Sequence, residues 1–154
     1  MNSEKVFDAL ENHLKDTDEI EVILLKGHLI LEQVLNELLS VYIKSEKNLN
    51  SLSLLFSKKL DLIIALQDGE HFLKSEIKHL REINRIRNKL AHKLDFYKYH
   101  DDLKVWACAV VGYKPVTINR KRTYRNTLRK AFYLLSGFLS GVAITRKEFN
   151  DLTL

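Results

Sequence analysis

The run of residues 19–44 constrains the fold more than any other stretch, because its apolar side chains recur at helical spacing along its whole length. One apolar stripe comprises Ile20, Leu24, Gly27, Leu31, Leu35, Leu38 and Tyr42. A second stripe comprises Val22, Leu25 and Leu29. A helix that is apolar on two sides is buried centrally or shares one side with a partner chain. Gly27 costs a helix interior about 1 kcal/mol relative to Ala, so the sequence predicts a close helix crossing there.

The same periodicity predicts four further helices, at about residues 3–15, 53–66, 72–94 and 122–144. Ser51 or Ser53 is a candidate N-cap of the third helix, and Gly69 is a candidate C-cap. Five glycines and one proline leave little room for the turns of an all-β fold. We therefore expect a single all-α domain over residues 1–154, an antiparallel four-helix bundle with an extra N-terminal helix.

Residues 95–120 interrupt this order of helices. Their first part is an aromatic-rich connector, and residues 103–111 fit either a helical turn or a short strand. Pro115 restricts the residue before it, which predicts an extended loop between this segment and the final helix.

The composition limits the compartment and the kinds of site. The single cysteine, Cys108, excludes an internal disulfide and provides no thiolate cluster for zinc, which fits a reducing compartment. The N-terminus has no apolar signal segment, and no apolar run approaches the roughly 20 residues that cross a bilayer. We therefore expect a cytoplasmic protein without a membrane segment. No metal site and no cofactor are predicted, because the histidines stand at none of the recognised metal-binding spacings.

Charge is unevenly distributed along the chain. Residues 1–37 carry nine acidic and three basic side chains, so a net charge of +5 for the whole leaves +11 for the rest. Nucleic acid is the anionic partner that this balance favours. Residues 119–130 hold six basic side chains and no acidic one, although a helix start prefers acids. A solvated helix start is one interpretation, and a set of RNA contacts is the other: Arg120, Lys121, Arg122 and Arg125.

Residues 80–94 combine a helical pattern with a charged residue that interrupts its apolar face. Four apolar residues lie within about 40° of the direction of Arg87: Leu80, Ile83, Ala91 and Leu94. Arg keeps its proton, so an Arg on an apolar face requires a carboxylate, a carbonyl or a ligand phosphate. Glu32 is a candidate carboxylate that either pairs with Arg87 in the core or orients it towards a bound phosphate.

A polar stripe follows another side of the same helix and comprises Arg81, Arg85, Asn88 and His92. His92 lies roughly 140° around the helix from Arg87, so one straight helix face does not present both to a ligand. Either the Arg87 side chain curls back, or a second copy of the helix across a two-fold axis completes the site. We favour the second arrangement, which predicts a homodimer. A histidine exchanges protons near neutral pH, which makes His92 a candidate general acid or base.

The segment Arg87-Asn88-Lys89-Leu90-Ala91-His92 resembles the R-N-x-x-x-H signature of the HEPN superfamily, whose active members are small helical, metal-independent ribonucleases. Residues 25–32 are similar to the first core helix of HEPN domains, particularly in the mannitol-repressor-like branch. The resemblance spans roughly residues 20–143. Several nuclease branches have a Tyr two residues after the His, whereas this chain has Leu94.

The resemblance implies an endoribonuclease that leaves a 2′,3′-cyclic phosphate and a 5′-hydroxyl end. In that reading Arg87 binds the phosphate, Asn88 holds the scissile group or orients His92, and His92 moves the proton. Arg81 and Arg85 would add contacts to RNA. The expected setting is a toxin or an anti-phage defence component with a cognate antitoxin or inhibitor. The alternative is a non-catalytic HEPN-like regulator or interaction protein, and a plain helical scaffold is a third reading.

Overall fold

The computed structural model describes residues 3–43, 53–67, 73–92, 94–114 and 120–153. Within these ranges the chain forms α-helices and no strand, which confirms the all-α prediction. The helices are α1 (Ser3–Leu14), α2 (Ile20–Ile43), α3 (Phe56–Leu66), α4 (Lys74–His92), α5 (His100–Val111) and α6 (Lys121–Leu152). A 3₁₀ turn at Phe96–Tyr99 leads into α5. In the ranges given, no helix combines the length and the apolar character that crossing a membrane requires.

Helix α2 is the centre of the structure, because α1, α3, α4 and α6 all pack against it. Its buried side chains form one broad face rather than two stripes. The second apolar stripe is not part of the core, since Leu25 and Leu29 are 39% and 56% exposed. Of the two predicted arrangements, burial of both sides within the chain is therefore wrong, and a side shared with a partner chain stays a prediction. Ile23, Ile30 and Val34 are buried instead, and they lie beside the first stripe and widen it.

The predicted close crossing at Gly27 is confirmed. A Cβ atom at this position would lie 2.5 to 2.6 Å from ring carbons of Phe132 on α6. Phe132 is fully buried, so its ring has no free space into which it could move. The packing of α2 on α6, the most extensive helix pair in the described part of the chain, therefore depends on a glycine.

Residues 100–111 form helix α5, which decides between the two predicted alternatives in favour of a helix. This helix packs against α4 and α6. Trp106 fixes its position, because the indole Nε1 donates a hydrogen bond to the His79 carbonyl of α4 at 2.9 Å. The Trp106 ring also lies 5.1 Å from the Phe132 ring, centre to centre. The region that the sequence leaves open thus contributes a packed helix beyond the four of the expected bundle.

Helix boundaries differ from the prediction at α3 and α6. The N-cap residue of α3 is Leu55 and forms no side-chain cap hydrogen bond, so Ser53 is not the cap. Leu55 is also 71% exposed, although the helical pattern predicts it to be buried. Helix α6 continues to Leu152, about two turns beyond its predicted end. Three residues with predicted turn or cap roles lie outside the described ranges: Ser51, Gly69 and Pro115.

Candidate functional site

Helix α4 positions Arg87 at the edge of the core. The helix is anchored by four buried residues: Ile77, Leu80, Ile83 and Ile86. Arg87 lies on the same side one turn later but is only half-buried. Ala91, in the last turn of α4, and Leu94, two residues beyond its end, are exposed, although the sequence predicts both on the buried face. At such an edge the stem of an Arg can cover apolar surface while its charge faces a ligand.

Arg87 opens into a pocket of about 290 Å³ that three helices form together. Residues 54–57, at the start of α3, supply an apolar wall that includes Leu54, Leu55 and Phe56. Helices α2 and α4 supply the polar groups: His28, Glu32, Asn84, Arg87 and Asn88. The structure therefore brings Glu32, Arg87 and Asn88, three predicted site residues, into one concavity.

The expected ion pair between Arg87 and Glu32 does not form. Glu32 instead accepts a hydrogen bond from the largely buried Lys59 ammonium, with 2.7 Å between Nζ and Oε1. The Arg87 guanidinium donates to Asn88 Oδ1 at 3.3 Å. Among the carboxylates of the described residues, none forms an ion pair with Arg87. Among the described residues its positive charge therefore has no paired carboxylate, and it is available to an anion.

His28 is a pocket residue that sequence reasoning treats as structural or solvated. It is 4% exposed, and its ring packs on Phe56 with centroids 4.4 Å apart. Nε2 lies 3.1 Å from Asn84 Oδ1, and since an amide oxygen only accepts, Nε2 carries the proton. Burial lowers the pKa of His28, and the nearby Arg87 charge acts in the same direction. The polar pair of His28 and Glu32, one turn apart on an apolar helix, is the sequence signal that could have identified it.

His92 and Asn88 are both exposed on the last turns of α4. Asn88 contacts Arg87, but His92 does not line the pocket that Arg87 enters. A single chain therefore presents the two halves of the motif on different sides of one helix, as the helical angle predicts.

Arg81 and Arg85 link α4 to its neighbouring helices. Arg81 donates to Asp61 of α3 at 2.8 Å, and the bond holds the Asp61 pKa below its usual value. Arg85 binds Glu82 on its own helix and Asp102 of α5. The Arg85 hydrogen bonds likewise lower the pKa of Glu82. Both guanidinium groups are already partly neutralised, so the RNA contacts predicted for them have to compete with carboxylates.

The basic run at the start of α6 divides into two groups. Arg125 and Arg129 point towards the link between α1 and α2, where both bind the Asp18 carboxylate. Arg129 also donates to the carbonyls of Leu14 and Thr17, which are left unpaired at the end of α1. These two positive charges therefore have a structural explanation. The other four cations of the run are exposed: Arg120, Lys121, Arg122 and Lys130, of which Lys130 donates a hydrogen bond to the Tyr113 hydroxyl.

Within the residues that the structure describes, no group of three or more His, Cys, Asp and Glu side chains is placed to hold a metal ion. The pocket around Arg87 offers a guanidinium, two amides and an imidazole, beside a Glu32 carboxylate that Lys59 neutralises. The guanidinium and the amides suit a phosphate or another oxyanion. No protein-family model, no curated protein and no solved structure matches this chain.

Proposed function

We propose that the chain is a HEPN-type endoribonuclease that cleaves RNA without a metal and acts as a homodimer. The observation that supports this most directly is the half-buried Arg87 guanidinium, which opens into a pocket and pairs with none of the described carboxylates. An Arg that faces a pocket in this way is suited to bind an anion from outside the chain. Because Arg87 belongs to the R-N-x-x-x-H motif, we take this anion to be a phosphate of RNA.

The reaction requires an acid–base group and a positive charge at the phosphate. His92 takes the proton of a ribose 2′-hydroxyl, whose oxygen forms a bond to the adjacent phosphorus. Arg87 stabilises the extra negative charge of the pentacovalent transition state. The bond from phosphorus to the 5′ oxygen then breaks, and that oxygen takes up a proton. The products are a 2′,3′-cyclic phosphate and a 5′-hydroxyl end.

The dimer brings Arg87 and His92 to one substrate. Each chain leaves His92, Ala91 and Leu94 exposed at the end of α4, which suits a contact between two such ends. A two-fold axis through this contact would place Arg87 of one copy beside His92 of the other, and the reverse. The cleft would then have two equivalent sites.

The proposed setting is a toxin or an anti-phage defence component that acts on cellular RNA. An unrestrained nuclease harms its own cell, so an antitoxin or inhibitor protein is the expected partner.

A non-catalytic HEPN-like regulator is the second candidate, and one observation favours it. His92 lies outside the pocket, whereas the buried His28 is hydrogen-bonded and held neutral inside it. A pocket of that kind could bind an anionic effector without any proton transfer.

The deciding experiment incubates the purified protein with total RNA in EDTA. We expect wild type to cut RNA and leave cyclic phosphate ends, and both Arg87→Ala and His92→Ala to lose the activity. His13→Ala is the matched control, because His13 is an exposed histidine on α1, far along the chain from the motif.

Circular dichroism and thermal melting establish that each variant is folded. Cleavage that survives in folded His92→Ala would contradict the proposed role of that residue. A folded wild type that cuts none of several RNA classes would support the regulator.

A further inference from the structure

A second pocket of about 580 Å³ is lined by none of the residues of the Arg87–His92 motif. It is formed by the start of α2, the 3₁₀ turn, α5 and the start of α6, and it shares no lining residue with the pocket of Arg87. Its volume falls within the roughly 300–1,000 Å³ typical of small-molecule sites. The inference that follows is independent of the proposed nuclease activity.

The floor of this pocket is an ordered group of three rings. Tyr124 is 4% exposed, and its hydroxyl lies 3.2 Å from His100 Nδ1. On the other side of its ring, His100 Nε2 lies 3.5 Å from a Glu21 carboxylate oxygen. Tyr97 packs beside His100, with ring centroids 5.6 Å apart, yet is itself 86% exposed. The floor therefore presents one aromatic ring to solvent, that of Tyr97.

Cations from two elements border the floor. Arg120 and Lys121 come from the start of α6, and Lys104 comes from α5. Lys104 lies over the Tyr124 ring at 5.2 Å. Within the described ranges, no carboxylate pairs with Arg120 or Lys121. Asp18, which lines the same pocket, is already bound by two other arginines, Arg125 and Arg129.

Three carboxylates distinguish this pocket from a simple polyanion surface. Asp18, Glu19 and Glu21 line it together with the cations. A lipid headgroup layer or a long polyphosphate would be repelled by them. A ligand with both a phosphate and N–H donors would use both sets of charges, since carboxylates accept hydrogen bonds from amino groups.

We propose that this pocket binds a nucleotide. The phosphate lies against Arg120, Lys121 and Lys104, and the base stacks on the exposed face of Tyr97. The carboxylate of Glu19 or Glu21 accepts a hydrogen bond from an exocyclic amino group of the base. Bases that carry an amino group therefore bind more tightly than uracil.

The test is calorimetric titration of the full chain with GMP, AMP, CMP, UMP and inorganic phosphate. We expect the three amino-bearing nucleotides to bind, and UMP and phosphate to bind more weakly. The double variant Arg120→Ala/Lys121→Ala should weaken binding by about tenfold or more, since each charge-assisted bond to phosphate contributes substantially.

Variants of the exposed ring and of distant cations complete the experiment. Tyr97→Ala should weaken binding by about tenfold, and Tyr97→Phe should preserve it, because stacking uses the ring alone. The charge-matched control is Lys78→Ala/Lys147→Ala, which removes two exposed cations from other surfaces.

Three results would overturn the proposal: no nucleotide binding, binding unchanged in Arg120→Ala/Lys121→Ala, or phosphate binding as tightly as GMP. Competition against bound GMP then identifies the source of the nucleotide. If a DNA oligonucleotide displaces GMP only when its 5′ end is phosphorylated, the pocket binds a strand terminus. If neither the phosphorylated nor the unphosphorylated oligonucleotide displaces GMP, the pocket binds a free nucleotide.

Discussion

Arg87 and His28 differ in how far the sequence could predict them. The position of Arg87 follows from the 100° helical step on α4, which requires only local information. The contacts that complete the pocket come from distant segments: Lys59 reaches Glu32 across 27 residues, and Asn84 reaches His28 across 56. No periodic pattern in the sequence predicts these contacts, because they depend on how α3 and α4 dock on α2.

His28 should make the stability of the fold depend on pH near neutrality. Burial lowers its pKa in the folded state below the ordinary 6.5, so below that pH the unfolded chain binds more protons. The free energy of unfolding should therefore fall as the pH drops from about 7.5 to 5.5, and rise again on return. Urea denaturation at several pH values would measure this slope, which should become flatter in His28→Gln.

His79→Gln is the matched control for this experiment, since burial also lowers the pKa of His79 and contributes a slope of the same sign. The two histidines are far apart in sequence, so their contributions should be separable. The prediction would be contradicted if the free energy of unfolding of His28→Gln depended on pH as steeply as that of wild type.

At the scale of elements, apolar periodicity predicts where helices lie better than which of their sides are covered. Helix α1 and the buried stripe of α2 match the expectation, because a 3.6-residue repeat directly reflects one-sided burial. Leu55 does not, and the pattern leaves open whether Leu25 and Leu29 pack within the chain, since an exposed leucine satisfies the same pattern as a buried one. Only the three-dimensional arrangement determines which of them finds a neighbour.

The crossing of α2 and α6 provides the prediction at this scale. Gly27→Ala should lower the free energy of unfolding by about 1–3 kcal/mol, because its Cβ would overlap the fixed ring of Phe132. Gly137→Ala and Gly141→Ala on α6 should each raise it by up to about 1 kcal/mol, since an added Cβ there meets no atom within 4 Å. Urea denaturation would compare the three variants with wild type.

The same substitution made at the three glycines controls for helix propensity. A Gly27→Ala variant as stable as the other two would mean that α2 and α6 can separate without cost, contrary to the tight crossing.

For the whole molecule, the proposed dimer depends on what the end of α4 exposes. Leu94 is fully exposed, although the sequence pattern predicts it to be inside, and this is what a monomer should show if the residue belongs to an interface. A sequence alone gives no means of separating an intramolecular core position from an intermolecular one, because both are apolar.

Leu94→Asp should convert a dimer into a monomer and abolish RNA cleavage, since it places two negative charges across the two-fold axis. The melting temperature of the monomer itself should change little, because the residue has no covered surface to lose. Sedimentation velocity over a range of concentrations would measure the assembly. Leu152→Asp, at an 85% exposed leucine of α6, is the control. A Leu94→Asp variant that remains dimeric would place the interface elsewhere.

The order in which the chain is synthesised gives the Arg129 contacts a further consequence. Arg129 binds Asp18, a residue made 111 positions earlier, and Phe132 beside it closes over Gly27. A ribosome adds roughly 5–20 residues per second, so α1 and α2 emerge several seconds before the helix that covers them. During that interval the apolar face of α2 is open to chaperones or to other nascent chains. The synthesis of α6 is therefore the event that ends this exposure and permits the fold to close.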